Sequence, residues 1–270
     1  MPDGLRVRAA ALYLIGLAAV VVLAAGARAR LPLGELYPLK SAVWFVAIAA
    51  FAVVFIGDDT HPFNRLGPAN RVTTARAVFV AFVAGAIGEP ASPMLAASAA
   101  GAGLVVTMMD GVDGWMARRS RMASRFGARF DMEIDALLIL ALAVLTWQNG
   151  KAGGWVVLSG LMRYAFVAAG WLLPKMRAPL PDSRRRQTIC VVQMAGLIIA
   201  LEPLVTRPAS ELIASAALAA LCYSFAVDTM WLLRRSVRLQ AAATPTTAGG
   251  PAFLSSSAGS GASIPRPGSL

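Results

Sequence analysis

Apolar residues gather in eight blocks along the chain, at 9–27, 41–56, 74–87, 93–109, 130–148, 154–173, 188–205 and 211–233, separated by short polar connections. Most of these blocks are long enough to cross a hydrocarbon core of about 30 Å at roughly 1.5 Å per residue. In lipid each backbone N–H and C=O needs a partner within its own segment, so such blocks predict α-helices. The pattern predicts an all-α, polytopic membrane protein. The third block is the shortest and carries Arg76 near its start, which makes it the weakest of the eight spans. The first is read as a span and not as a cleaved leader, because a second long apolar block follows closely. From about residue 240 to 270 the chain is rich in Ala, Thr, Pro, Gly and Ser with no apolar period, which predicts a disordered tail.

Composition agrees with this pattern. The chain is 57% hydrophobic and only 14% charged, whereas a soluble domain is near 25% charged. Its net charge of +11 would suit a nucleic-acid binder if the basic residues shared one face. They sit instead in alternate connections. Residues 118–129 hold Arg118, Arg119, Arg121, Arg125 and Arg129; residues 174–186 hold Lys175, Arg177, Arg184, Arg185 and Arg186; Arg234, Arg235 and Arg238 follow the last block. The intervening connections hold only Glu89, then Lys151, then Arg207. By the positive-inside rule the basic connections and both termini are expected in the cytoplasm of a cell inner or plasma membrane, with no nucleic-acid partner. The stretch 28–40, with Arg28, Arg30 and Lys40, runs mildly against this alternation. Cys190 and Cys222 lie in apolar blocks without metal-ligand spacing and read as small buried hydrophobes; His61, beside Pro62, reads as a solvated loop residue.

The chemistry is concentrated between the fourth and fifth blocks. Asp110 and Asp113 stand at i and i+3 at the end of one predicted helix, and Asp131 and Asp135 at i and i+4 at the start of the next. Both spacings put the paired side chains on one helix face. Glu133 is about 200° around the wheel from Asp131 and points elsewhere. A short basic loop joins the two helices, so they are expected to be antiparallel neighbours with four carboxylates converging just inside the cytoplasmic boundary. Such a cluster is tolerable only if cations neutralise it. Hard oxygen donors suit Mg²⁺ or Mn²⁺, and a pair of ions could clamp a diphosphate. Gly114 and Gly127 would allow close approach of a nucleotide or a neighbouring backbone, Ala117 is small and on the same face, and Arg118 could grip a phosphate with its guanidinium fork.

The run reads D-x2-D-G-x2-A-R-x8-G-x3-D-x3-D over residues 110–135, which resembles the signature of the CDP-alcohol phosphotransferase family at all its fixed positions. Upstream, Asn70, Thr73 and Arg76 are similar to the N-x2-T-x2-R pattern at the start of that family's first core helix. The resemblance implies a six-helix catalytic core over residues 61–239, with an additional two-helix membrane extension over 1–60 and the tail at 240–270. It implies Asp110, Asp113 and Asp131 as metal ligands, and Asp135 as general base and further metal contact. Gly114, Ala117, Arg118, Ser124 and Gly127 would border the cytidine diphosphate, and Asn70 and Thr73 would approach the nucleotide. Phospholipid synthesis is the implied process, with CDP-diacylglycerol the expected donor and a phosphorylated alcohol the expected acceptor. The inverse use, a soluble CDP-headgroup with a lipid acceptor, stays open.

Arg163 lies inside the sixth block, where a charge is expensive; it could hold an acceptor phosphate or snorkel to a headgroup. Arg184 and Arg185 could form the mouth of the same pocket or act only as a topology signal. The segment Arg184–Thr188 departs from the Gly-Lys-x-Lys-Thr run that many family members carry there. Asp228 reads as a functional carboxylate or as a partner of Arg234 or Arg235. Small-residue stretches such as 96–103 could pack within a protomer or between two copies in a homodimer. Two other functions fit an acidic membrane protein. A Mg²⁺-dependent prenyltransferase would carry two separated Asp-rich motifs, and a divalent-cation transporter would carry acidic residues in several spans. One compact motif favours neither.

Overall fold

Each apolar block falls, to within a few residues, inside an α-helix: α1 Asp3–Arg28, α2 Tyr37–Phe55, α3 Pro68–Gly85, α4 Pro93–Ser120, α5 Arg125–Gln148, α6 Leu158–Leu172, α7 Arg184–Leu201 and α8 Ala209–Ala243, with a 3₁₀ turn at Gly154–Val157 leading into α6. The computed structural model describes residues 3–56, 60–63, 66–120, 122, 124–173, 181 and 183–243; the side chains of 3–6, 113, 115, 117, 118 and 235–243 lie outside that description. Strands are absent among the described residues.

Among the described residues, five stretches are long and apolar enough to cross a membrane: Val7–Arg28, Tyr37–Phe55, Pro93–Val112, Gly154–Leu172 and Ala209–Arg234. The chain is therefore a multi-pass membrane protein, although the expected eight apolar spans reduce to five by this measure. Of the remaining helices, α3 carries the fully buried Arg76, α5 carries Asp131 and Asp135, and α7 carries Arg185. The physical reason is their position. Helix α3 packs against α1, α2, α4 and α5, and α5 packs against α3, α6 and α7. A helix screened from lipid by its neighbours can carry polar groups that meet partners inside the bundle.

Several helices outrun their apolar blocks. α4 continues to Ser120 and α5 begins at Arg125, so all four aspartates of the motif sit on helix. α3 begins at Pro68 after the extended Gly67, where proline costs no intrahelical hydrogen bond. α7 begins at Arg184, so the three arginines expected in a loop occupy a helix's first turn. Positive charge there opposes the helix dipole, and Asp228 offsets it (below). α8 runs to Ala243, so residues 240–243 of the expected tail are helical, and residues 244–270 lie outside the described residues.

At the C-terminus of α5, Gly150 adopts φ 66°. Its N–H donates to Trp147 O and the Lys151 N–H to Thr146 O, which closes the helix with the paired bonds of a Schellman motif. Lys151 then reaches the end of α7, where its ammonium donates to the carbonyls of Glu202, Pro203 and Val205. The side chain thus satisfies carbonyls that the helix end leaves over.

The N-terminal pair is docked on the core. Tyr37 Oη donates to Phe82 O at 3.0 Å. Gly85 gives α2 and α3 a close crossing, since a Cβ there would collide with Ser41. At the end of the bundle away from the aspartates, Glu89 is buried and accepts from Gly34 N and Lys40 Nζ, both at 2.6 Å. Gln148 joins it, donating to Glu89 O and accepting from Gly88 N. Burial alone would push the Glu89 carboxyl up; the hydrogen bonds from Lys40 and Gly34 and the Lys40 charge outweigh burial and hold it below the ordinary value. A carboxylate depressed in this way stabilises the fold above its unfolded pKa of about 4.3 and loses that contribution as pH falls through the lower folded value. Glu89→Gln is expected to cost about 1–2 kcal/mol at neutral pH, and the gap from wild type should close in acid. Thermal unfolding in detergent across a pH series measures both.

Candidate metal centre

Three carboxylates from two helices meet a guanidinium from a third. One oxygen each from Asp110 of α4 and from Asp131 and Asp135 of α5 lie within 4.8 Å of one another. Arg76 of α3 enters between them. Its Nη1 lies 3.0 Å from Asp110 Oδ1 and also donates to Asp131 Oδ1, while Nη2 donates to Asp135 Oδ1. The Arg76 side chain is 0% exposed, against 27% for Asp110, 36% for Asp131 and 15% for Asp135. The guanidinium therefore lies behind the acids, which retain an open side.

Helical spacing explains the convergence. Asp131 and Asp135 are one turn apart on α5, and Asp110 lies ten residues before the end of α4. The expected direct pairing of α4 with α5 is only partly realised. The two touch lightly, and α4 packs more fully on α3 and α7. Mutual repulsion of the acids gives the reason: two acidic faces hold together better around an intervening cation than in direct contact. Arg76 supplies that cation, and α7 closes the other side, with Cys190 within electrostatic reach of all three aspartates. Asp113 is one turn along α4 from Asp110, but its side chain lies outside the described residues, as do those of Ala117 and Arg118.

Asn70 and Thr73 lie on α3 six and three residues before Arg76, and both are buried. A Cβ on Gly127 would come within 2.7 Å of Asn70 Oδ1, so the motif glycine here admits the Asn70 side chain. Thr73 Oγ1 donates to Ala69 O at 3.1 Å. Gly114 is half-buried on α4. Ser124 caps α5: its Oγ accepts from Gly127 N and pairs with His61 Nδ1, each at 3.0 Å. The expectation of a solvated His61 is thereby overturned. It is buried, edge-on to Phe63 and Phe126, in a segment tied to α5 by the Phe126 N–H to Thr60 O bond. The aromatic neighbours replace the water that a polar loop was expected to provide.

The outlying arginines are engaged elsewhere. Arg163 donates to both oxygens of Glu133, on a different face of α5 from the aspartate pair. Arg185 donates to Asp228 Oδ1 at 2.5 Å and to Ser224 O and Oγ, and Arg186 also reaches Asp228. Asp228 thus pairs with α7, because the inward turn of α8 faces the start of α7; the Arg235 side chain lies outside the described residues. Arg184 is exposed. Cys190 is partly buried, whereas Cys222 is exposed on α8 against the expectation of burial. An apolar face turned to lipid accepts such a residue as readily as a core does.

Sequence reasoning placed Arg76 in a motif but gave it no role. The available signal was a charged side chain inside an apolar block, which in a membrane marks a function or a buried partner. Among the described residues this trio is the one acidic cluster able to hold a metal. The donor set fits a divalent cation: three hard carboxylate oxygens close together and an open side.

The family model for CDP-alcohol phosphatidyltransferase matches residues 66–232, from the cap of α3 into α8 and well over half of the chain. The chain belongs to the CDP-alcohol phosphatidyltransferase family. The matched region contains α3, α4 and α5 with all the residues of the acidic cluster, and it leaves α1 and α2 outside. Comparison with curated proteins and with solved structures gave no match. CDP-alcohol phosphatidyltransferases transfer phosphate-containing groups from CDP-alcohols in phospholipid synthesis and generally use a divalent metal.

Proposed function

We propose that this protein transfers a phosphatidyl group from CDP-diacylglycerol to the hydroxyl of a small, phosphorylated alcohol and releases CMP, working at the cytoplasmic face of the membrane. The observation that carries the proposal is the convergence of Asp110, Asp131 and Asp135 from two helices onto one partly open point. The acidic oxygens there would attract Mg²⁺ or Mn²⁺, held by these three residues together with Asp113 and expected as a pair of ions. Held by these residues, such ions would supply positive charge to the diphosphate, which would make CMP a better leaving group.

The protein's own groups do the rest. Asp135 is the least exposed of the three and lies one turn deeper than Asp131. It takes the proton of the acceptor hydroxyl as that oxygen forms a bond to the distal phosphorus of the donor. The bond from that phosphorus to the bridging oxygen breaks, and CMP departs with the electron pair. Gly114, Ala117, Arg118, Ser124 and Gly127 border the nucleotide, with Asn70 and Thr73 behind it. Buried Asn70, packed on Gly127, supports that wall. Arg163, Arg184 and Arg185 are assigned to the acceptor phosphate; in Arg185 a guanidinium already oriented by Asp228 and Ser224 supports this.

The test is detergent-purified protein with Mg²⁺, radiolabelled CDP-diacylglycerol and a panel of phosphorylated and unphosphorylated alcohols. CMP and a new lipid product should appear only with metal and an acceptor together. Divalent ion flux in vesicles without CMP from any CDP-alcohol would sink the reading.

A further inference from the structure

Among the described residues one guanidinium is completely buried, that of Arg76, and it pairs with three acids of the metal centre. It comes from α3, which contributes no carboxylate, and it bridges acids that α4 and α5 hold with little direct contact of their own. One nitrogen is shared between Asp110 and Asp131 while the other takes Asp135. These are the same oxygens that a divalent cation needs. We infer that Arg76 is the internal counter-ion of the metal centre, gathering the three carboxylates while no metal is bound and giving up their oxygens when one arrives. The inference rests on the metal-centre reading above.

The electrostatics require such a group. Three carboxylates brought together in a bundle repel one another, and in a low-dielectric surrounding that repulsion is severe. Without a resident cation, α4 and α5 would splay or the acids would take up protons. One guanidinium holds three acids together, and their exposed oxygens still offer a divalent ion hard donors on the open side. Fixed ligand positions then reduce the ordering that metal binding must impose. Arg76 is accordingly a positioning residue, and it also competes with the metal. It stabilises the metal-free state more than the loaded one, and linkage then requires that removing it tighten metal binding.

Two variants separate this role from plain structural support. Arg76→Gln removes the charge, and Arg76→Lys keeps it on a single point that cannot bridge three acids. Thermal unfolding is followed in chelator and in saturating Mg²⁺, and Mn²⁺ binding is measured directly by its paramagnetic resonance signal. Abolition of Mn²⁺ binding by Asp110→Asn in otherwise native protein establishes the metal centre independently. If that variant binds Mn²⁺ normally, the metal-centre reading fails whatever the Arg76 variants do. In Arg76→Gln the unfolding temperature should fall sharply in chelator and recover most of the loss in Mg²⁺, and the Mn²⁺ dissociation constant should drop about tenfold. Arg76→Lys should shift both quantities the same way by less. An equal fall with and without metal, weaker Mn²⁺ binding, or failure of Arg76→Gln to fold even when prepared in Mg²⁺ would each overturn the inference.

Discussion

Asp131→Asn is expected to lower the rate of CMP release by about 10³-fold or more, with no recovery at high Mg²⁺. Asn nearly matches Asp in shape, so packing on α5 is preserved. What changes is charge: one of the three acids around Arg76 is lost, and a carboxylate oxygen that metal would share becomes an amide. Preorganised charge at a phosphoryl-transfer centre is commonly worth 10²–10³ for a single group, and loss of a ligand to the metal adds to that. Asp131 is also the most exposed of the three, at 36%, and so faces the incoming cation most directly. Initial rates of CMP release against Mg²⁺ concentration test this, with circular dichroism as the check on helix content. A variant within tenfold of wild type at saturating metal would remove Asp131 from the metal centre.

Asp135→Asn should behave differently, and the contrast is the sharper test. Loss of a general base lowers turnover by about 10²–10⁴-fold. Metal and donor should still bind, because Asp110 and Asp131 remain, together with the rest of the nucleotide wall. The expected result is therefore loss of kcat with Mg²⁺-dependent binding of the CDP-donor within a few-fold of wild type. Equilibrium binding of labelled donor, set beside single-turnover CMP release, separates the two quantities. Retained turnover would refute the role of base; lost donor binding would reassign Asp135 as a ligand first.

Much of this was readable in the sequence because the relevant periods are short. The apolar blocks announced the helices, and the i, i+3 and i, i+4 spacings placed each aspartate pair on one face. The ends of the helices were less legible. α4, α5 and α7 carry their charged turns past the apolar blocks, and only contacts inside the bundle reveal that those turns are still helix. Arg76 marks the clearest boundary of sequence reasoning. Its acid partners stand 34, 55 and 59 residues further along the chain, and no local period links them. His61 is similar, since its burial depends on Phe126 and Ser124 of a helix on the far side of α3 and α4 in sequence. Arg163 and Arg185 were legible as unusual charges, whereas their pairing with Glu133 and Asp228 depends on which helix faces which.

The light direct contact between α4 and α5 bears on how the site could exchange its occupants. Helices joined by a dense seam of interlocking side chains must unpick that seam to admit anything between them. Here α3 and α7, which pack on both helices, hold the frame, and the acids meet around a guanidinium, so an occupant can be exchanged while the packed surfaces stay intact.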